Sequence, residues 1–220
     1  WSYQAPVNPV GDKTETFTYT IIDNDGDPST ANLTVYVEDT SPVVDQVDED
    51  ELSGGNTDGD AVNTIATGSL ADLIVGPPVA AQFSLSNDTS GLAPATSNGV
   101  GLVYGVSGNV LTATAGPAGP NVFTLQVNSG GTYTFTLLGP VDHPAGGNDD
   151  NDLLVMDFAS ILQASDGVDP IALAGGFLIQ IEDDLPIIET SPAPNDSLQV
   201  DETNLAANAT TDFSTQFNEL

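Results

Sequence analysis

Two alternating runs, Thr16-Phe17-Thr18-Tyr19-Thr20-Ile21 and Leu33-Thr34-Val35-Tyr36-Val37-Glu38-Asp39, flank the stretch Asp23-Asn24-Asp25-Gly26-Asp27-Pro28. Strict alternation of β-branched or aromatic residues with small polar ones gives a ribbon one face to bury, the period-2 signature of a half-buried strand. The segment between them cannot continue a strand, because Asp, Gly and Pro are all disfavoured there. The unit reads as strand, acidic loop, strand. Asp23, Asn24, Asp25 and Asp27 crowd that loop with oxygen, and such carboxylates repel one another unless a hard cation such as Ca²⁺ sits among them.

The same grammar recurs along the chain. Short candidate strands fall at residues 83–85, 101–104, 110–113, 122–127 and 132–138, with Gly, Asn, Ser or Pro in each gap. Many short strands with such turns predict an all-β sandwich. Helical periodicity is confined to a turn or two at residues 69–74 and 158–163.

Charge decides how seriously to take the cation. The chain carries 32 acidic groups against the single Lys13, a formal charge of −31 over 220 residues. Self-repulsion of that size opposes compaction, and on its own would favour disorder. The 39% hydrophobic content and the recurring strands argue the other way. A fold that is stable once cations neutralise its acidic loops satisfies both. Nucleic acid and anionic membranes are excluded as partners by the same charge. No apolar run approaches the roughly 18 residues of a membrane helix, so membrane insertion is not expected. Without cysteine there are neither disulfides nor thiolate sites, which leaves Ca²⁺ as the staple for an extracellular protein. No signal peptide opens the chain, and the abrupt start at Trp1 reads as the middle of a domain, so a fragment is expected.

Internal repetition supports that reading. Gln46-Val47-Asp48-Glu49-Asp50-Glu51-Leu52 recurs as Gln199-Val200-Asp201-Glu202-Thr203-Asn204-Leu205, and Val37-Glu38-Asp39 with Pro42 recurs as Ile181-Glu182-Asp183 with Pro186. Residues 17–22 resemble residues 133–138, and Asp25-Gly26-Asp27-Pro28 is echoed by Asp166-Gly167-Val168-Asp169-Pro170. The expected division is the closing strands of one repeat at 1–45, a complete repeat at 46–189 and the start of another at 190–220.

The stretch Gly139-Pro140-Val141-Asp142-His143-Pro144 leads into Gly146-Gly147-Asn148-Asp149-Asp150-Asn151-Asp152 and then Leu153-Leu154-Val155-Met156. This resembles the repeat of about 143 residues in giant RTX-type adhesins exported by type I secretion. The 17–37 region is similar to the last strands of cadherin-like and VCBS-like repeats. The resemblance implies serial Ca²⁺-rigidified sandwiches of Ig or cadherin type on a bacterial cell surface, without catalysis. Where that family has a tighter Asp-Gly-Asp turn, this chain has Asp166-Gly167-Val168-Asp169.

Candidate cation ligands are therefore Asp23, Asn24, Asp25 and Asp27 in the first loop, with Glu38 and Asp39 at the strand end beside the linker. Asp48, Glu49 and Asp50 open the next domain, and a cation between them and Glu38 or Asp39 would fix the interdomain angle. Asp149, Asp150 and Asp152, then Asp166 and Asp169, then Glu182 and Asp183 complete the set. His143, the single histidine, reads as a structural turn residue, since no nucleophile motif accompanies it. Paired carboxylates among 32 acids arise by chance and indicate no glycosidase. The expected role is a structural extender of a secreted adhesin. The alternatives are a subunit of an extracellular filament or surface layer, and a Ca²⁺-dependent glycan-binding module. Neighbouring repeats are the expected partners, with the C-terminal piece of one copy supplying a strand to the N-terminal piece of another or of itself.

Overall fold

The computed structural model describes residues 2–4, 12–55, 59, 61–76, 80–143 and 152–184, together with the backbone of residues 188–190 and 217–219. These residues are all-β. In chain order the strands are β1 (Lys13–Ile22), β2 (Pro28–Val37), β3 (Val43–Asp48), β4 (Ile65–Ser69), β5 (Gln82–Leu85) and β6 (Thr96–Ser97). There follow β7 (Val100–Ser107), β8 (Val110–Ala115), β9 (Asn121–Val127), β10 (Thr132–Leu137) and β11 (Leu153–Asp157). The remainder are β12 (Leu162–Ser165), β13 (Pro170–Ile171), β14 (Phe177–Glu182), β15 (Ile188–Thr190) and β16 (Phe217–Glu219).

The central body, from β3 to β14, contains three sheets. One has six strands in the order β4-β10-β9-β8-β7-β6; the others run β11-β14-β3 and β13-β12-β5. Alternation sets which side chains go in: Tyr133, Phe135 and Leu137 of β10 are buried between outward threonines. The two stretches with helical spacing are single 3-10 turns, Ala71–Leu73 and Ala159–Ile161. Each is framed by apolar residues three apart, Leu70 with Leu73 and Phe158 with Ile161, and all four are buried. One turn aims both of a pair at the core, so no longer helix is needed. Phe123 and Phe135 stack at 5.1 Å, Phe135 meets Phe158 at 5.9 Å, and Phe158 meets Phe177 at 5.9 Å. This chain of rings joins β9 and β10 of the large sheet to β14 of the second.

One pairing sets the direction of the body. β3 and β14 are parallel, from Val43 opposite Phe177 to Asp48 opposite Glu182. The first strand and the last thus run side by side the same way. The chain comes in at the Val43 end and leaves at the Glu182 end, about 20 Å away for six residues of strand.

β1 and β2 form a separate two-stranded antiparallel hairpin, from Lys13 opposite Val37 to Ile22 opposite Pro28. Phe17, Tyr19 and Ile21 are 43%, 52% and 63% exposed. Tyr3 lays its ring edge against Phe17 at 5.9 Å, and with Tyr19 and Leu33 they line an apolar cleft. β15 and β16 pair antiparallel with each other. The expected strand at residues 197–205 lies outside the described residues.

Candidate metal centre at the trailing end of the body

Three segments converge where β3 and β14 end. Asp48, Glu49 and Asp50 leave β3 in a turn closed by the Leu52 N–H donating to the Glu49 carbonyl at 2.9 Å. The Asp48 carboxylate accepts from the Asp50 N–H at 2.8 Å, fixing that turn from within. Glu182 and Asp183 close β14, and the Glu49 N–H donates to the Glu182 carbonyl at 3.2 Å. The segment after β10 contributes Val141, whose N–H donates to Glu49 Oε1 at 2.7 Å, and His143. Packing is tight enough that a Cβ on Gly55 would lie 2.5 Å from the Asp50 carbonyl oxygen.

Asp48, Glu49, Asp50 and Glu182 are 1%, 4%, 3% and 8% exposed. The ligand atoms of Glu49, His143 and Asp183 all lie within 4.8 Å of one another. Two carboxylates about 4 Å apart repel by roughly 4 kcal/mol at an effective dielectric of 20. A single N–H from Val141, worth roughly 1.5–3 kcal/mol to a charged acceptor, does not offset that repulsion and desolvation together. Something else must neutralise the group. Without a cation it is a proton: burial, then the charges of Asp183, Asp184 and Asp142, push the Glu49 carboxyl up to about 8 against the Val141 hydrogen bond. Burial likewise raises Asp183, although His143 pulls it back.

His143 ties this end together. Its Nε2 lies 2.9 Å from the Ile181 carbonyl, and its Nδ1 lies 3.0 Å from the Val141 carbonyl and 3.3 Å from Asp183 Oδ1. Both ring nitrogens are thus occupied by protein oxygens, which makes His143 a brace for the oxygen donors rather than a first choice of ligand. A donor set dominated by carboxylate oxygens suits a hard cation of the Ca²⁺ type.

The hairpin loop is built differently. Asp23, Asp25 and Asp27 also bring ligand atoms within 4.8 Å of one another, but all three are exposed. Asp23 is held below the usual carboxylate range by hydrogen bonding with Asp25 and by the Asp27 N–H, which it accepts at 2.8 Å. The turn between β12 and β13 repeats this construction. Asp166 Oδ1 accepts from the Asp169 N–H at 2.8 Å and the Asp166 N–H donates to the Asp169 carbonyl at 3.1 Å. In the first loop the Asp23 N–H donates to the Asp27 carbonyl, also at 3.1 Å. The repeat relation between these turns therefore extends to their hydrogen bonds.

Two expected groupings come apart. Glu38 stands at the Val37 end of the hairpin and the acidic loop at the Ile22 end, ten residue pairs away, so Glu38 does not join Asp23, Asn24, Asp25 and Asp27. Asp39 accepts instead from the Ser41 N–H at 2.8 Å, and Glu38 shares a small cleft with Lys13. Nor does a cation between Glu38 or Asp39 and the acids at 48–50 fit, because β3 places its whole length between them. Those acids meet Glu182 and Asp183 at the other end. Asp152 is beside them through its carbonyl, which accepts from the Asp183 N–H at 3.0 Å. Asp149 and Asp150 lie outside the described residues. Sequence reading missed His143 as part of this centre; its signal was its isolation, as the one histidine in so acidic a chain.

No known protein family, curated protein or solved structure matches the chain.

Proposed function

We propose that this chain is a structural extender segment of a secreted bacterial surface adhesin, built of β-sandwich repeats of Ig or cadherin type and rigidified by Ca²⁺. The observation that carries this reading is the placement of Asp48, Glu49, Asp50 and Glu182, buried where the chain leaves the body. Asp48, Glu49, Asp50 and Glu182, with Asp183 beside them, outnumber His143, the basic side chain placed among them, and an outside cation would offset the excess charge. A cation there would lock the last strand to the first at the junction with whatever follows. The parallel β3–β14 pairing supports the same role, since a unit whose chain comes in at one end and leaves at the other stacks in series. The resemblance to RTX-type adhesin repeats adds the extracellular setting. In low-calcium cytosol such a chain stays loose enough to export, and it stiffens in millimolar calcium outside.

Thermal melting in EDTA and in Ca²⁺, with calorimetric titration, tests the reading. A site that binds only the folded state adds about 2.7 kcal/mol at a hundred times its Kd. Identical melts in both conditions, with no heat of binding, reject it.

A further inference from the structure

The hairpin β1–β2 has a counterpart inside the body. β2 ends in Val37-Glu38-Asp39 as β14 ends in Ile181-Glu182-Asp183. The acidic turn preceding β2 carries the same pair of hydrogen bonds as the Asp166 turn that precedes β13 and β14. Each has an antiparallel neighbour on one edge, β1 placing Lys13 opposite Val37 and β11 placing Leu154 opposite Ile181, although in sequence residues 17–22 resemble β10 rather than β11. Side-chain alternation agrees. Leu33, Val35 and Val37 are the covered positions of β2, as Phe177, Ile179 and Ile181 are the buried ones of β14.

Here the two regions diverge. In the body the other edge of β14 is filled by β3, with Gln46 opposite Gln180 and Val47 opposite Ile181. Among the described residues no strand fills the corresponding edge of β2. The chain nevertheless carries a second copy of the strand that fits there, Gln199-Val200-Asp201-Glu202 matching Gln46-Val47-Asp48-Glu49.

We propose that the open edge of β2 receives residues 198–202 of a second copy of this chain as a parallel strand, with Gln199 opposite Tyr36 and Val200 opposite Val37. Main-chain hydrogen bonds supply the attraction and an unpaired edge is covered. The register also places Gln199 beside Glu38, as Gln46 Nε2 donates to Glu182 in the body. Asp201 and Glu202 then meet Glu38 and Asp39 in a copy of the trailing-end acid cluster. A second copy is the better donor because the tail leaves the body at the end opposite to the hairpin connection. In an end-to-end stack the β2 edge of the next copy lies directly at that end, whereas pairing within one chain needs the tail to run back along the roughly 20 Å of β3. Supplied by another copy, the contact is head-to-tail and does not close, so it propagates as a filament.

The chain lacks cysteine, which permits a disulfide test of register in the full-length protein. Adjacent strands lie about 4.8 Å apart, within the Cα separation a disulfide spans. The variant Tyr36→Cys with Gln199→Cys should give a ladder of covalent oligomers on mild oxidation in calcium. Asn32→Cys with Gln199→Cys, roughly 13 Å out of register along β2, should not. Gln46→Cys with Gln180→Cys should close within one chain and serves as the standard for parallel neighbours. A closed standard with no ladder from the Tyr36 pair overturns the proposal. So does a Tyr36–Gln199 link confined to monomers, which would mean a chain pairing with itself. Calcium binding is read separately by calorimetry, so its absence would reject the proposed function without deciding this pairing.

Discussion

The acid cluster at the end of β3 and β14 and the acidic loop of the β1–β2 hairpin carry similar residues in different solvents. At the first, Asp48, Glu49, Asp50 and Glu182 are withdrawn from water, and Glu49 keeps its proton to about pH 8. At the second, Asp23, Asp25 and Asp27 are exposed, and Asp23 is ionised more readily than usual because its own turn hydrogen-bonds to it. Density of carboxylates alone therefore does not separate the two. Both groups could hold a metal ion, and burial makes the repulsion between carboxylates larger at the first, because water and salt screen it less there.

The largest effect should come from the apolar counterparts of these two regions. Phe177→Ala removes a fully buried ring from the core and should cost about 3–5 kcal/mol in urea unfolding. Leu33→Ala, at the matching place in β2, should cost well under about 1 kcal/mol in dilute monomer, where nothing deep covers it. Equal losses would mean the hairpin has a core of its own.

Next in size is the dependence on pH. An unfolded glutamate releases its proton near 4.5, whereas folded Glu49 holds it to about 8. Between those values the unfolded state binds fewer protons, so stability of the calcium-free body should fall as pH rises from 4.5 to 8 and then level off. The slope is at most about 1.4 kcal/mol per pH unit, for a total of a few kcal/mol. Asp23, Asp88, Asp142 and Asp166 have lowered values, so their contributions appear only in more acid solution and leave this window clear. Asp183, raised by burial, still loses its proton more readily on unfolding, so melting curves of Glu49→Gln should keep only a shallower fall with rising pH. In calcium, a cation replaces the proton and the native slope should disappear.

Gly55→Ala should be smaller, about 1–3 kcal/mol, since its Cβ would press on the Asp50 carbonyl and displace the turn. Weaker calcium binding should accompany that loss in calorimetry. Smallest are Asp23→Ala and Asp166→Ala, which should leave the melting temperature unmoved. Each should speed hydrogen exchange at the amide it holds, that of Asp27 or of Asp169, and by similar factors because the two bonds are alike.

Much of the fold was legible in the sequence because alternation is local. Each strand expected between residues 83 and 138 is present, with bounds shifted by up to a few residues: residues 101–104 grew into β7 because Val106 also packs on the core. β4 escaped notice since Ile65-Ala66-Thr67-Gly68-Ser69 buries only Ala66 and has little apolar rhythm. The acid cluster was half legible. All five of its carboxylates were candidates, but Glu49 and Asp183 stand 134 residues apart, and only the parallel β3–β14 pairing brings them together. Proximity in sequence instead suggested a junction with Glu38 and Asp39, which the length of β3 rules out. His143 reads as a turn residue in the sequence, whereas the structure gives residues 141–143 no turn and shows its ring bracing the cluster.

The parallel pairing has a mechanical consequence. If the body is pulled by its two ends, force is applied at Val43 on one strand and at Glu182 on its neighbour. The strands are then sheared lengthwise, and the ladder bonds of all six residue pairs share the load at once. A hairpin pulled by its two adjacent ends, such as β1–β2, would instead unzip one bond at a time. In a serial chain under tension the body should yield abruptly, at a force well above that needed to peel the hairpin.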